Sequence, residues 1–179
     1  MSIRHLPARP TWTPANLTTV ARAAAIPVIL ALLAVPSQHA RVGAAALFTV
    51  AALTDALDGY LARRAAAASA LGAFIDLTAD KLLVAAVLID LVGRQVVPAW
   101  PAIVIVAREL LVSGVRAYAA VQGVTLGAGW PGKLKTVVTS VAIAATIVGA
   151  PGAPWLLALA AALTVASAWP YLVAGARLL

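Results

Sequence analysis

The chain has 179 residues, of which 63% are hydrophobic and 11% charged, with a mean hydropathy of +0.99. Globular chains average about 45–50% apolar and about 25% charged residues, and a domain of this length keeps about 30% of its unfolded surface exposed, so an aqueous fold cannot hide this much apolar side chain. The same numbers exclude disorder, the absence of cysteine excludes a disulfide scaffold, and lipid is left as the solvent.

Thirteen Lys and Arg against six Asp and Glu give a net charge of +7. A lipid-embedded chain needs such an excess at its cytoplasmic edges, so no nucleic-acid partner is called for. Residues 1–16 carry Arg4, His5, Arg9, three prolines and Trp12, which suits an interfacial lead-in with an aromatic anchor. A cleavable leader is not expected, because Arg22 interrupts the next apolar stretch and Gln38-His39-Ala40 lacks the small residue that cleavage needs. A spanning helix needs about 20 apolar residues. Residues 17–179 contain six such stretches: Leu17–Val35, Val42–Ala62, Leu71–Val92, Val97–Val121, Leu134–Ala150 and Trp155–Ala176. The expectation is one all-α, six-helix transmembrane domain. With six spans the termini share a side, and Arg4, Arg9, Arg63, Arg64, Lys133, Lys135 and Arg177 gather there against Arg41 and Arg94 opposite. That asymmetry puts both termini in the cytoplasm. Arg41, Asp90 and Arg94 then mark the outer interface, His5 and His39 are solvated, and Trp100, Trp130, Trp155 and Trp169 belong to interfacial belts or helix packing.

Four of the six acidic residues, Asp55, Asp58, Asp76 and Asp80, fall within 26 positions, inside or at the edge of expected spans. A carboxylate at bilayer depth costs several kcal/mol unless paired or liganded. Asp55 and Asp58 are three apart, and Asp76 and Asp80 four apart, so each pair shares a helical face. An antiparallel hairpin would bring the two faces together. Lys81, Arg63 and Arg64 could each serve one carboxylate as salt-bridge partners, whereas a divalent cation that prefers oxygen, Mg²⁺ or Mn²⁺, serves several at once. Gly59 and Gly72 flank the pairs and would let a ligand or a neighbouring backbone approach closely.

Taken as one pattern, Asp55-x-x-Asp58-Gly59-x-x-Ala62-Arg63, eight residues, then Gly72-x-x-x-Asp76-x-x-x-Asp80 resembles the signature of the CDP-alcohol phosphatidyltransferases. The likeness extends to Asn16–Arg22, Ala107-Arg108-Glu109, Ser113 with Arg116, and Gly132–Thr136, which are similar to bacterial members of that family. What the resemblance implies is a six-helix membrane enzyme, commonly a homodimer, with a polar cavity open to the cytoplasm. It further implies a site for two divalent ions, Mg²⁺ or Mn²⁺, held by Asp55, Asp58, Asp76 and Asp80, with Asp80 also the candidate base. Asn16, Thr19, Gly59, Ala62, Arg63 and Gly72 would line the CDP pocket. The donor substrate would be CDP-diacylglycerol in membrane lipid. Lys81, next to Asp80, would act as its counter-charge or snorkel to the interface.

Acceptor choice is expected to rest on the remaining buried charges. Glu109 and Arg116 are seven apart and nearly eclipsed at about 100° per residue, and Arg108 lies near mid-bilayer, where an arginine must face protein or a wet cavity. Arg108 and Arg116 with Lys133 and Lys135 form a cradle for a phosphate dianion, unless Arg108 and Glu109 are a structural pair and the lysines ordinary cytoplasmic-side charges. Together they favour a phosphorylated acceptor, with glycerol 3-phosphate the best candidate. Inositol phosphate or phosphatidylglycerol would keep the fold and reaction while changing the acceptor. A metal-ion transporter is disfavoured because Arg108, Arg116 and Lys133 would repel its cargo, and a prenyltransferase because its paired aspartates have a different spacing.

Overall fold

The computed structural model describes the backbone of residues 14–65, 70–124, 126–127 and 129–177, and within those ranges the side chains of residues 20–54 and from 81 onward. Helices account for nearly all of it: α1 (Pro14–Ala34), α2 (Gln38–Ala65), α3 (Ala70–Gly93), α4 (Ala99–Val121), α5 (Trp130–Val148), α6 (Ala153–Ala166) and α7 (Trp169–Ala176). The all-α expectation holds, and each expected apolar stretch falls on helix. Among the described residues, the helices long and apolar enough to cross a membrane are Trp130–Val148 and the pair spanning Ala153–Ala176, with a shorter apolar helix at Val20–Ala34.

The distribution of side chains is the reverse of that in a water-soluble domain. Val50, Leu53, Ile89, Ile103, Leu110, Val121, Val137 and Trp155 are exposed, whereas Arg22, Arg108, Lys135, Thr139, Thr146, Thr164 and Ser167 are buried. Contiguous exposed apolar surface on this scale needs an apolar solvent, and charges turned inward are the membrane pattern. The fully buried apolar residues Ile29, Phe48, Leu83, Leu88, Ile105, Ile143 and Leu157 come from six helices in turn. Helix α1 packs against α2 and α3, α2 against α5, α5 against α6, α6 against α4, and α4 against α3, while α3 also reaches α5. The helices thus close a ring around a shared interior.

Local rules explain the breaks. Helix α4 ends at Gly123, whose φ of 76° only glycine adopts without strain; its N–H bonds to Ala120 O and that of Val124 to Ala119 O, a glycine-terminated cap. On the expected outer side, Arg94 grips Asp90 through Nε (2.6 Å) and Nη2 (3.0 Å). That hydrogen bond, more than the Coulombic attraction, raises the guanidinium pKa above its ordinary value against the opposing effect of burial.

The sixth stretch is not one helix. Pro170 has no N–H to offer Ala166 O, and the N–H groups of Ala168 and Tyr171 turn to Val165 O and Ala168 O. The carbonyls of Thr164 and Ser167 are therefore released from the helix ladder, and α6 and α7 part there. Helix α7 lies close against α4: a Cβ on Gly175 would sit 2.9 Å from Val115 Cγ1.

Candidate active site

The side chains of Asn16, Thr19, Asp55, Asp58, Gly59, Ala62, Arg63, Gly72, Asp76 and Asp80 lie outside the described residues. Their backbone does not: Asp55 and Asp58 are on the C-terminal half of α2, and Asp76 and Asp80 on the N-terminal half of α3. The remaining two acidic residues of the chain are accounted for. Asp90 is committed to Arg94, and Glu109 to Arg108 and Lys135. Among the described residues no three His, Cys, Asp or Glu side chains gather to hold a metal. A divalent cation in this protein would fall to the four aspartates, whose all-oxygen chemistry fits Mg²⁺ or Mn²⁺.

Arg108 explains how the interior beside them is built. It is 8% exposed, and a buried guanidinium must be hydrogen-bonded or it destabilises the fold. Its Nε donates to Thr164 O (3.1 Å), and its Nη2 to Ser167 O (3.2 Å) and Ser167 Oγ (2.9 Å). These are the carbonyls freed where α6 and α7 part. Its Nη1 donates to Glu109 Oε1 (3.1 Å), and the guanidinium lies 5.8 Å from the ring centroid of Tyr171. Tyr171 in turn donates its hydroxyl to Gly127 O (3.2 Å), tying down the α4–α5 connection. Buried carbonyls freed from a helix ladder need donors from elsewhere, and here Arg108 supplies them together with the Ser167 hydroxyl, which donates to Thr164 O (3.0 Å).

Lys135, 9% exposed, donates its Nζ to the same Glu109 Oε1. Glu109 is thus the junction of α4, α5 and, through Arg108, the α6–α7 break. Lys135 and Glu109 line a cavity of about 60 Å³ with Lys81 from α3, Ala52 from α2, and Thr136, Thr139 and Ser140 from α5. Ala52 stands three residues before Asp55, and Lys81 directly follows Asp80. The cavity therefore adjoins both aspartate-bearing segments.

The four residues read from the sequence as a phosphate cradle do not sit alike. Lys135 is in the cavity wall. Arg116 spends its Nε on Leu126 O (3.0 Å) at the α4–α5 connection, and its two Nη groups make no further hydrogen bond among the described residues. Lys133 is exposed on the first turn of α5. Arg108 has four of its five N–H groups in the internal bonds given above, so at most one remains for an anion. Thr139 and Ser140 escaped the sequence reading. Their signal was the hydroxyl stripe formed by Thr136 with Thr139 and Ser140, three and four residues on, in a largely apolar helix. Nothing in the sequence marked Tyr171.

Comparison with known proteins adds an independent finding. Residues 12–166 match the sequence profile described as CDP-alcohol phosphatidyltransferase. The chain is similar to the CDP-diacylglycerol–glycerol-3-phosphate 3-phosphatidyltransferase of Bacillus subtilis (strain 168), 36% identical over 176 residues that cover 87% of this chain and 91% of that protein. It is also similar to the protein of the same name from Rickettsia bellii (strain RML369-C), 39% identical over 137 residues and 76% of each chain.

Proposed function

The chain belongs to the CDP-alcohol phosphatidyltransferase family, and on that premise we propose that it moves the phosphatidyl group of CDP-diacylglycerol to sn-glycerol 3-phosphate, releasing CMP and forming phosphatidylglycerol phosphate. The names of both relatives support this donor and this acceptor. The observation that carries the phosphorylated acceptor is the cavity beside the aspartate segments, whose lining includes Lys81 and Lys135, charge-assisted donors of the kind a phosphate takes.

In this reading the six apolar stretches span a bacterial-type cytoplasmic membrane, with both termini and the site toward the cytoplasm, and the protein works as a homodimer. Asn16, Thr19, Gly59, Ala62, Arg63 and Gly72 hold the CDP moiety. Asp55, Asp58, Asp76 and Asp80 hold two divalent cations, which when bound supply positive charge against the pyrophosphate and the departing CMP. Asp80 takes the proton from the acceptor hydroxyl. The freed oxygen attacks the β-phosphorus, and the bridging P–O bond breaks with its electron pair on CMP. Lys135, Lys133 and the free Nη groups of Arg116 receive the acceptor phosphate, and Arg108 backs them through Glu109.

The test is CMP release by the purified protein from CDP-diacylglycerol with Mg²⁺ or Mn²⁺ and a panel of acceptors. Glycerol 3-phosphate should support release that chelation stops. Release with inositol phosphate or phosphatidylglycerol alone would move the protein to a different acceptor within the same reaction.

A further inference from the structure

The cavity beside the aspartate segments is lined by two polar atoms that have no hydrogen-bond partner among the described residues. Glu109 uses Oε1 for both Arg108 and Lys135, and its second carboxylate oxygen accepts no hydrogen bond among the described residues. Thr139 is 5% exposed, and its Oγ1 has no hydrogen-bond partner among them either. Both residues line the same space of about 60 Å³. Leaving a buried hydroxyl unsatisfied is costly, and buried polar groups almost always find partners. The neighbouring hydroxyl Thr136, by contrast, is satisfied within its own helix by Gly132 O.

An unpaired carboxylate oxygen can only accept, whereas a threonine hydroxyl can donate. A group that completes both donates to the first and accepts from the second, as the hydroxyl of water or of an alcohol does. The space of about 60 Å³ exceeds the roughly 10–15 Å³ that a single water needs, which leaves room for a hydroxyl-bearing carbon. Its depth fits as well. Ala52 and Val84, which frame it, are three residues before Asp55 and four after Asp80, so the cavity lies about one helical turn below the carboxylates that would handle the reacting hydroxyl.

We propose that Glu109 and Thr139 together read the second, non-reacting hydroxyl of the polyol acceptor, and so set specificity for a vicinal diol phosphate over a simple alkanol phosphate. The acceptor hydroxyl donates to the free oxygen of Glu109 and accepts from Thr139 Oγ1, while Lys135, fixed by the other oxygen of Glu109, faces the phosphate. The inference rests on the acceptor assignment proposed above and adds which of its groups is recognised, and by which residues.

The test compares glycerol 3-phosphate with 3-hydroxypropyl phosphate, which lacks only the secondary hydroxyl. CMP release is measured for the full-length wild type, Thr139→Val and Glu109→Gln. The wild type should prefer glycerol 3-phosphate by roughly 10- to 100-fold in kcat/KM. Thr139→Val replaces an unpaired hydroxyl by a methyl of the same shape, so it should fold at least as well as the wild type and bring the preference down to roughly 3-fold or less. Glu109→Gln should reduce it too, with KM for CDP-diacylglycerol unchanged. A wild-type preference retained by Thr139→Val, or equal use of both phosphates by the wild type, overturns the proposal while leaving the proposed function intact. No CMP from the wild type with either phosphate overturns the proposed function and this specificity with it.

Discussion

Among the described residues Arg116 bonds only through its Nε, to Leu126 O, so both terminal nitrogens can turn to an anion. Arg108, eight residues earlier on the same helix, has its fork closed on two carbonyls, a serine hydroxyl and a carboxylate. The two arginines should consequently fail differently. Arg116→Ala should raise KM for glycerol 3-phosphate roughly 10- to 100-fold, the worth of a charge-assisted contact, with KM for CDP-diacylglycerol and the melting temperature nearly unchanged. A rise in both KM values would take Arg116 out of the acceptor site. Asp76→Asn should lower turnover roughly 100-fold or more, as removal of one group that stabilises transition-state charge does, while the protein still inserts. Metal-dependent turnover at the wild-type rate in Asp76→Asn would end the assignment of the cations to the aspartates.

The parting of α6 and α7 and the seating of Arg108 are one structural event, since the carbonyls that the break frees are the ones the guanidinium takes. Arg108→Ala would leave the Ser167 carbonyl without its donor, Thr164 O with the Ser167 hydroxyl alone, and less positive charge around Glu109. Breaking a buried pair in this way costs about 3–5 kcal/mol, so this variant should melt earlier in detergent than Arg116→Ala. Equal melting temperatures would contradict the role given to Arg108. Sequence periodicity located the apolar stretches because each keeps its lipid-facing side chains over the whole length of a helix. It joined Trp155–Ala176 into one span because Thr164, Ser167 and Pro170 sit in apolar surroundings, and only the tertiary contact with Arg108 shows why the ladder opens there. It left Arg108 and Glu109 open as a structural pair, which the structure contains, but it did not foresee that the side chain of Glu109 also reaches across to Lys135 on α5. Spacing along one helix carries no information about which neighbouring helix supplies a partner. The aspartate pattern was readable for the opposite reason, since its chemistry depends on intervals within a single helix.

Among the described residues the protein exposes many large apolar side chains and buries Arg22, Arg108 and Lys135, and in the proposed topology the α4–α5 connection lies in the cytoplasm. The chain has no cysteine, so a single introduced thiol reports its own side of the membrane. In intact cells, His39→Cys in the α1–α2 region should react with an impermeant maleimide, and Val124→Cys at the α4–α5 connection should react only after lysis. The reverse pattern would invert the topology and place the site on the wrong side for a cytoplasmic phosphate acceptor. The central claim is that the phosphatidyl group passes to a hydroxyl of a molecule that already carries a phosphate, and mass analysis of the lipid formed from CDP-diacylglycerol and glycerol 3-phosphate tests it most directly. The account requires a product containing one phosphodiester and one phosphomonoester, formed in equal amount with CMP. Phosphatidic acid in its place, the product of transfer to water, would contradict it.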